Sequence, residues 1–172
     1  TSGYQHDFYV FPKAIKCTAL AGSTSTRMDS YRQIEHLIYR YAELIDAGDL
    51  SRMADLFSHA QLLGPDGKLV ASGSEEFLNV QSRAVNINPN TGNPQTKHIT
   101  TNVIIEVDDI ANQATARSYF TVLQASDGFA LQPIIAGRYL DKFERVNGRW
   151  RFHQRQSIPD LIGDLSQHLL FY

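Results

Sequence analysis

The sequence is short of nearly every feature that would announce a function at once. It holds one cysteine, Cys17, in 172 residues; no internal disulfide can form, and a lone thiol suits a reducing compartment. It has no charge excess: 16 Lys and Arg against 18 Asp and Glu leave a net charge of −2. The basic residues are dispersed, which removes the electrostatic footprint of a nucleic-acid binder. No apolar run approaches the roughly 20 residues that span a bilayer, so no membrane partner is expected. The stretch "CTALAG" is too short and too polar for a signal-peptide core, and the expectation is a soluble cytoplasmic protein. The six histidines, His6, His36, His59, His98, His153 and His168, show no ligand-pair spacing, so no metal is expected. A Gly-rich phosphate loop and a G-x-S-x-G elbow are missing too, which leaves nucleotide cofactors and serine-hydrolase chemistry without support.

What is present suffices for one domain, because a chain of this length buries about two thirds of its unfolded surface and needs no covalent staple. Residues 1–27 read apart from the rest: "HDFYVFPKAIK" is aromatic and strand-like, "AGSTSTR" is a small polar linker, and Met28 stands before a strong helix start. They are expected to be an N-terminal arm, either a leader or an oligomer contact. Residues 28–172 are expected to be a single domain with an apolar tail at 158–172.

Ser30 and Gln33 have the spacing of a capping box, and Ile34, Leu37, Ile38, Tyr41, Leu44 and Ile45 follow as one helical stripe. Gly48 suits a C-terminal cap and Asp49 the next N-cap, with Leu50, Met53, Leu56 and Phe57 in a short second helix. Two extended pieces flank the turn at Pro65–Gly67, and a third helix is expected from Ser74. From Gln95 the pattern changes to strands at 96–108, 113–126, 129–145 and 148–157, with "ASDG" and "VNGR" as hairpin turns. Three helices followed by long antiparallel strands predict an α+β fold, its helices on one face of a curved sheet. In the tail, Leu161, Ile162, Leu165, Leu169 and Leu170 stand at loose helical spacing after Pro159.

The strand "TKHITTNVIIEVD" holds the first chemical question. Strict alternation puts Ile99, Thr101, Val103, Ile105 and Val107 on one face and His98, Thr100, Asn102, Ile104 and Glu106 on the other. The second face turns from oily to polar at one end, with a titratable ring there. A strand dipping into a pocket and a strand emerging into water would both read this way.

The segments "IEHLIYRYAELIDAGDLSRMADLF", "KHITTNVIIEV" and "GRYLDKFERVNGRWRF" resemble, in order and spacing over about residues 29–157, the SnoaL-like branch of the nuclear-transport-factor-two-like (cystatin-like α+β) superfamily. The resemblance implies a cone-shaped α+β barrel, a bent antiparallel sheet wrapped around a long N-terminal helix with two shorter helices and a pocket inside. Enzymes of that superfamily include scytalone dehydratase, hexachlorocyclohexane dehydrochlorinase, bile-acid dehydratase, ketosteroid isomerase and polyketide cyclases; other members are not catalytic. The lyases pair an aspartate at the end of the first helix with a histidine at the start of a strand, and Asp46 and His98 match those positions. Tyr41 is similar in spacing to a tyrosine of the bile-acid dehydratases, whereas "FTVLQ" after "ATARSY" lacks a further aspartate of that subfamily.

An imidazole titrates near neutrality and can accept a proton, while a carboxylate on its other nitrogen fixes the tautomer and stabilises the imidazolium. The expected activity is therefore a cofactor-independent lyase or isomerase acting on a hydrophobic cyclic small molecule, of dehydratase or dehydrohalogenase type. The other reading is a non-catalytic ligand-binding or assembly domain, which requires Asp46 and His98 to lie too far apart to hydrogen-bond. Tyr41, Asn102 and Tyr119 are candidates to bind or polarise the substrate, provided each faces the same cavity; Tyr41, in mid-stripe, also reads as core. On an ideal helical wheel Asp46 falls roughly 140° from the apolar stripe, on the solvent side. Arg151, His153 and Arg155 read as a solvated or subunit-facing surface, and His36 and His59 as surface positions. By analogy with the superfamily, the sheet's outer face is expected to form a homodimer or homotrimer.

Overall fold

A computed structural model describes residues 29–170; the expected arm at 1–27, with Cys17 and His6, and Met28 lie outside the described residues. Helix α1 runs Ser30–Asp46, α2 Leu50–Asp55 and α3 Gly73–Ala84; the strands are β1 Gln61–Leu63, β2 Leu69–Ser72, β3 Thr96–Asp108, β4 Gln113–Ser126, β5 Phe129–Val146 and β6 Arg149–Ile162. One six-stranded sheet carries the order β2-β1-β6-β5-β4-β3, antiparallel except for the parallel pair of β1 and β6. The α+β expectation holds, and the helices are few beside a long curved sheet.

The cap of α1 differs from the capping-box expectation. Asp29 is the N-cap and accepts from Arg32 N–H at 2.8 Å, because a carboxylate one residue earlier reaches the first free N–H groups. Ser30 instead donates its hydroxyl to Asp109 at 3.0 Å. The C-terminus of α1 closes as expected: Gly48 is left-handed at φ 75°, with Gly48 N–H on Ile45 O and Asp49 N–H on Leu44 O, the paired bonds of a Schellman motif. Ile34, Ile38, Tyr41, Leu44 and Ile45 are buried against Met53, Phe57, Phe143 and Phe152 in one core cluster. Each such side chain contributes roughly 1.5–3 kcal/mol of burial.

Extra residues in the strands decide which side chains share a face. In β3, Thr101 lies opposite Tyr119 and Ile104 opposite Arg117, so Asn102 and Val103 together face Ser118. Asn102 takes the extra position at φ 52°, a left-handed conformation that asparagine tolerates better than most residues. The alternation therefore changes phase: His98 and Thr100 point to the same side as Val103, Ile105 and Val107, while Ile99, Ile104 and Glu106 are exposed. The apparent switch from oily to polar along one face came from reading through a bulge.

The same device corrects the reading of Arg155. Phe143 pairs with Phe152 and Lys142 with Gln154, so β6 holds an extra residue at His153. Past it Arg155 returns to the inner face of Trp150 and Phe152, fully buried, while His153 is exposed. Arg155 is no surface residue: it donates from Nε and Nη2 to the two carboxylate oxygens of Asp141, at 2.8 and 2.7 Å. Its guanidinium carbon lies 4.1 Å from the Tyr139 ring centre and 4.4 Å from that of Tyr41. Burial alone would lower the pKa of Arg155, but the Asp141 carboxylate more than reverses this and keeps the guanidinium charged.

The tail also departs from expectation. Strand β6 continues through Pro159 to Ile162, where Asp160 is the extra residue between the Gly137–Pro159 and Ala136–Leu161 pairs; proline is tolerated in strands beside such irregularities. Past that extra residue Leu161 points outward and is exposed, Ile162 at the end of the strand is exposed too, and the segment after them buries Leu165 and His168. No helix among the described residues is long and apolar enough to cross a membrane.

Candidate active site

Asp46 is the last residue of α1 and His98 lies near the start of β3, the sheet's edge strand. The edge of β3 covers the flank of α1 that carries Ala42 and Asp46, which is why a residue outside the main apolar stripe becomes buried. The side chains of His98 and Asp46 are 6% and 9% exposed. Ring nitrogen Nδ1 of His98 is 2.6 Å from Asp46 Oδ1, its backbone N–H donates to Asp46 Oδ2 at 2.8 Å, and the Thr96 hydroxyl donates to Oδ1 at 2.8 Å.

Burial would raise the pKa of Asp46, but the hydrogen bonds from His98 and Thr96 and the adjacent imidazole outweigh it and hold the carboxyl below the ordinary aspartate value. An ionised carboxylate only accepts, so Nδ1 of His98 carries the proton and Nε2 is the basic nitrogen. A cleft of about 440 Å³ opens beside the pair, lined by Tyr39, Ala42, Glu43, Asp46, Ala47, Lys97, His98 and Thr100. A larger groove of about 580 Å³ on the outer side of α1, between His36 and Trp150, contains no such acid–base pair.

The remaining candidates fall elsewhere. Tyr119 is 53% exposed, because it alternates with the buried Ser118 and Phe120 on β4 and faces outward. Asn102 is exposed at the bulge. Neither shares a cavity with the pair, so both leave the candidate site. Tyr41 is buried, edge-on to Phe57 and Tyr139 at 5.9 and 6.0 Å and covered by Arg155, which fills its role as core. Burial pushes its hydroxyl pKa up, so it stays neutral.

Two residues that the sequence pattern did not single out stand next to the pair. His168, in the segment after β6, is 6% exposed, with its ring centre 6.1 Å from that of His98. Burial and the neighbouring His98 push its pKa down to about 4, so it is neutral near pH 7. Gln124, buried on β4, lies opposite Thr96. Its register to Thr96 depends on the Asn102 bulge, since pairing back from Asp108 and Gln113 without it sets Gln124 opposite Lys97; no local signal marks His168, whose neighbours look like ordinary apolar cover. Among the described residues no group of three or more His, Cys, Asp or Glu could hold a metal ion.

Residues 26–156 match the model of the SnoaL-like domain. The chain belongs to the SnoaL-like family. Solved structures similar to this SnoaL-like chain include an NTF2-like protein with a cystatin-like fold from Novosphingobium aromaticivorans, 18% identical over 76% of this chain and 81% of that one, with a TM-score of 0.61. A candidate scytalone dehydratase from the same organism is 19% identical over 78% and 86% of the two chains, with a TM-score of 0.61. The β subunit of a candidate aromatic-ring-hydroxylating dioxygenase, again from that organism, is 16% identical over 80% and 94%, with a TM-score of 0.60. At these identities the likeness establishes the NTF2-type, cystatin-like fold of the SnoaL-like chain and nothing finer. No curated protein matches it.

Proposed function

We propose that this SnoaL-like protein is a cofactor-independent lyase or isomerase in which His98 is the general base and Asp46 its orienting carboxylate, acting on a hydrophobic cyclic small molecule. The single observation that carries the reading is the 2.6 Å contact between two nearly buried groups, with the carboxylate held ionised. It contradicts the separation that a purely non-catalytic reading required. Similarity to a candidate scytalone dehydratase supports the same chemical class.

In this reading Nε2 of His98 takes a proton from a carbon acidified by a neighbouring carbonyl or arene, and the C–H electron pair becomes a new double bond. In an elimination the C–O or C–halogen bond breaks: hydroxide leaves as water with the proton returned by the imidazolium, or halide leaves and the imidazolium gives its proton to solvent. In an isomerisation the proton returns to another carbon. Asp46 stabilises the imidazolium formed between these steps, and general-base help of this kind contributes on the order of 10² to 10⁴ in rate. The low exposure of the pair strengthens the interaction between imidazolium and carboxylate.

The test is a panel of hydroxylated and halogenated cyclic compounds followed by mass spectrometry, run with wild type and His98→Ala. The expected result is loss of water or hydrogen halide, or a shifted double bond, with wild type only, while the variant melts within a few degrees of wild type. Turnover retained by a folded His98→Ala protein overturns the assignment. It would favour the second reading, a non-catalytic binding or assembly domain, which the likeness to a dioxygenase β subunit suggests.

A further inference from the structure

The proposed chemistry gives no role to the larger groove on the outer side of α1, although about 580 Å³ is room for a sizeable occupant. Leu37, Tyr39 and Trp150 give it an apolar lining, and Tyr39 is 40% exposed. Two arginines stand in it. Arg40 is paired with Glu43 at 2.9 Å, whereas the exposed Arg149 has no carboxylate partner among the described residues. An apolar groove with one unneutralised cation suits an apolar segment that carries one acid.

The chain itself contains such a segment in Asp7, Phe8, Tyr9, Val10 and Phe11, outside the described residues. Asp7 is the only acid in residues 1–28. Four apolar residues in a row with high strand propensity are an aggregation hazard when left in water, so they need cover. At about 3.3 Å per residue an extended segment of this length covers about 17 Å. The α1 wall of the groove, from Gln33 to Glu43, is about 15 Å long at 1.5 Å per residue. Alternation sets Asp7, Tyr9 and Phe11 on one side of such a strand, an acid followed by two rings, and the groove offers a cation beside an indole.

The point where the chain enters the domain favours this occupant over an outside one. The α1 wall begins at Gln33, one helical turn after the N-cap Asp29. Residues 12–28, which join the segment to the helix, reach about 55 Å when extended, well beyond the length of the groove. A tether of this kind presents the segment at an effective concentration on the order of millimolar, which a free peptide of equal affinity does not match.

We propose that residues 7–11 of the same chain dock in this groove, with Asp7 on Arg149 and with Tyr9 and Phe11 against Leu37, Tyr39 and Trp150. Tyr39 and Glu43 line the dyad cleft as well as the groove, so the docked segment stands beside that cleft.

Trp150 is the only tryptophan and Cys17 the only cysteine, which leaves one indole N–H signal to follow and one thiol to remove. A nitroxide is attached to the full chain at Val10→Cys with Cys17→Ser, on the side of the segment that faces away from the groove, and ¹H–¹⁵N spectra are recorded. The Trp150 indole signal and the amide signals of Leu37 and Tyr39 are expected to be broadened beyond detection. They should return when Tyr9→Ser and Phe11→Ser are added, changes that leave every described residue intact. Arg149→Asp should return part of the signal, and Asp7→Arg in the same chain should remove it again.

A Trp150 indole signal that the nitroxide leaves sharp overturns the docking. So does broadening that survives Tyr9→Ser with Phe11→Ser, because it then comes from the tether alone. A charge exchange that fails to rescue overturns the placement of Asp7 on Arg149. In a mixture of spin-labelled ¹⁴N chains with unlabelled ¹⁵N chains the same signals should stay sharp; broadening there would seat the segment of a second copy in the groove and overturn the intramolecular contact.

Discussion

Asp46 grips His98 twice, once through the ring at Nδ1 and once through the backbone N–H, with the two carboxylate oxygens divided between them. The residue that orients the base therefore also fastens the start of β3 to the end of α1. Position and proton inventory of the imidazole are set by one carboxylate, 52 residues away in the chain.

Asp46→Asn separates these two duties. The amide can still accept from the backbone N–H of His98, but its NH₂ can also donate to Nδ1, which moves the imidazole proton to Nε2 and blocks the base. Turnover is expected to fall about 10²- to 10⁴-fold, with a smaller change in melting temperature. Steady-state kinetics beside thermal melts check this; unchanged turnover would show that the carboxylate is only a structural tie.

Acid should weaken the fold through two groups with different windows. His168 has an ordinary pKa of 6.5 and is pushed down to about 4 by burial and by His98, partly opposed by Asp46. Between those values the unfolded chain binds a proton that the native one refuses, so stability falls as pH drops from 6.5 towards 4, by on the order of 3 kcal/mol. Asp46 acts lower: its lowered pKa adds stability that is full above the unfolded value of 3.8 and is lost as pH falls through the native one. Urea unfolding between pH 7 and 4 should therefore give a shallower slope for His168→Phe than for wild type.

The Asp141–Arg155 pair is wholly buried and asymmetric in its response to change. Asp141→Ala leaves a guanidinium without its counter-charge between two tyrosine rings and should cost about 3–5 kcal/mol. Arg155→Met together with Asp141→Leu removes both charges and should cost far less. Denaturant midpoints of the single and double variants test this, and additive costs would contradict it.

At the β3 bulge, Asn102→Gly should be stable to within a few tenths of a kcal/mol, whereas Asn102→Val, a branched residue forced to φ 52°, should cost about 1–2 kcal/mol. The same denaturant midpoints report it.

The helices, the hairpin turns and the α+β layout were legible in the sequence, because each rests on local chemistry. Gly48 and Asp49 end one helix and begin the next, and Asn147–Gly148 takes positive φ at both residues, as a tight hairpin turn demands. Asp46 and His98 were legible only through family resemblance, since on its own wheel Asp46 faces solvent. What the sequence could not reveal was the phase of the strands. A strand's faces repeat every two residues, so one extra residue reverses every side chain beyond it; Asn102, His153 and Asp160 each do so, and they turn Arg155 inward and Leu161 outward. Composition and periodicity thus determined which elements form. Only the tertiary structure, by laying the start of edge strand β3 against the end of α1, decided that Thr96 and the ring and backbone of His98 meet on the Asp46 carboxylate.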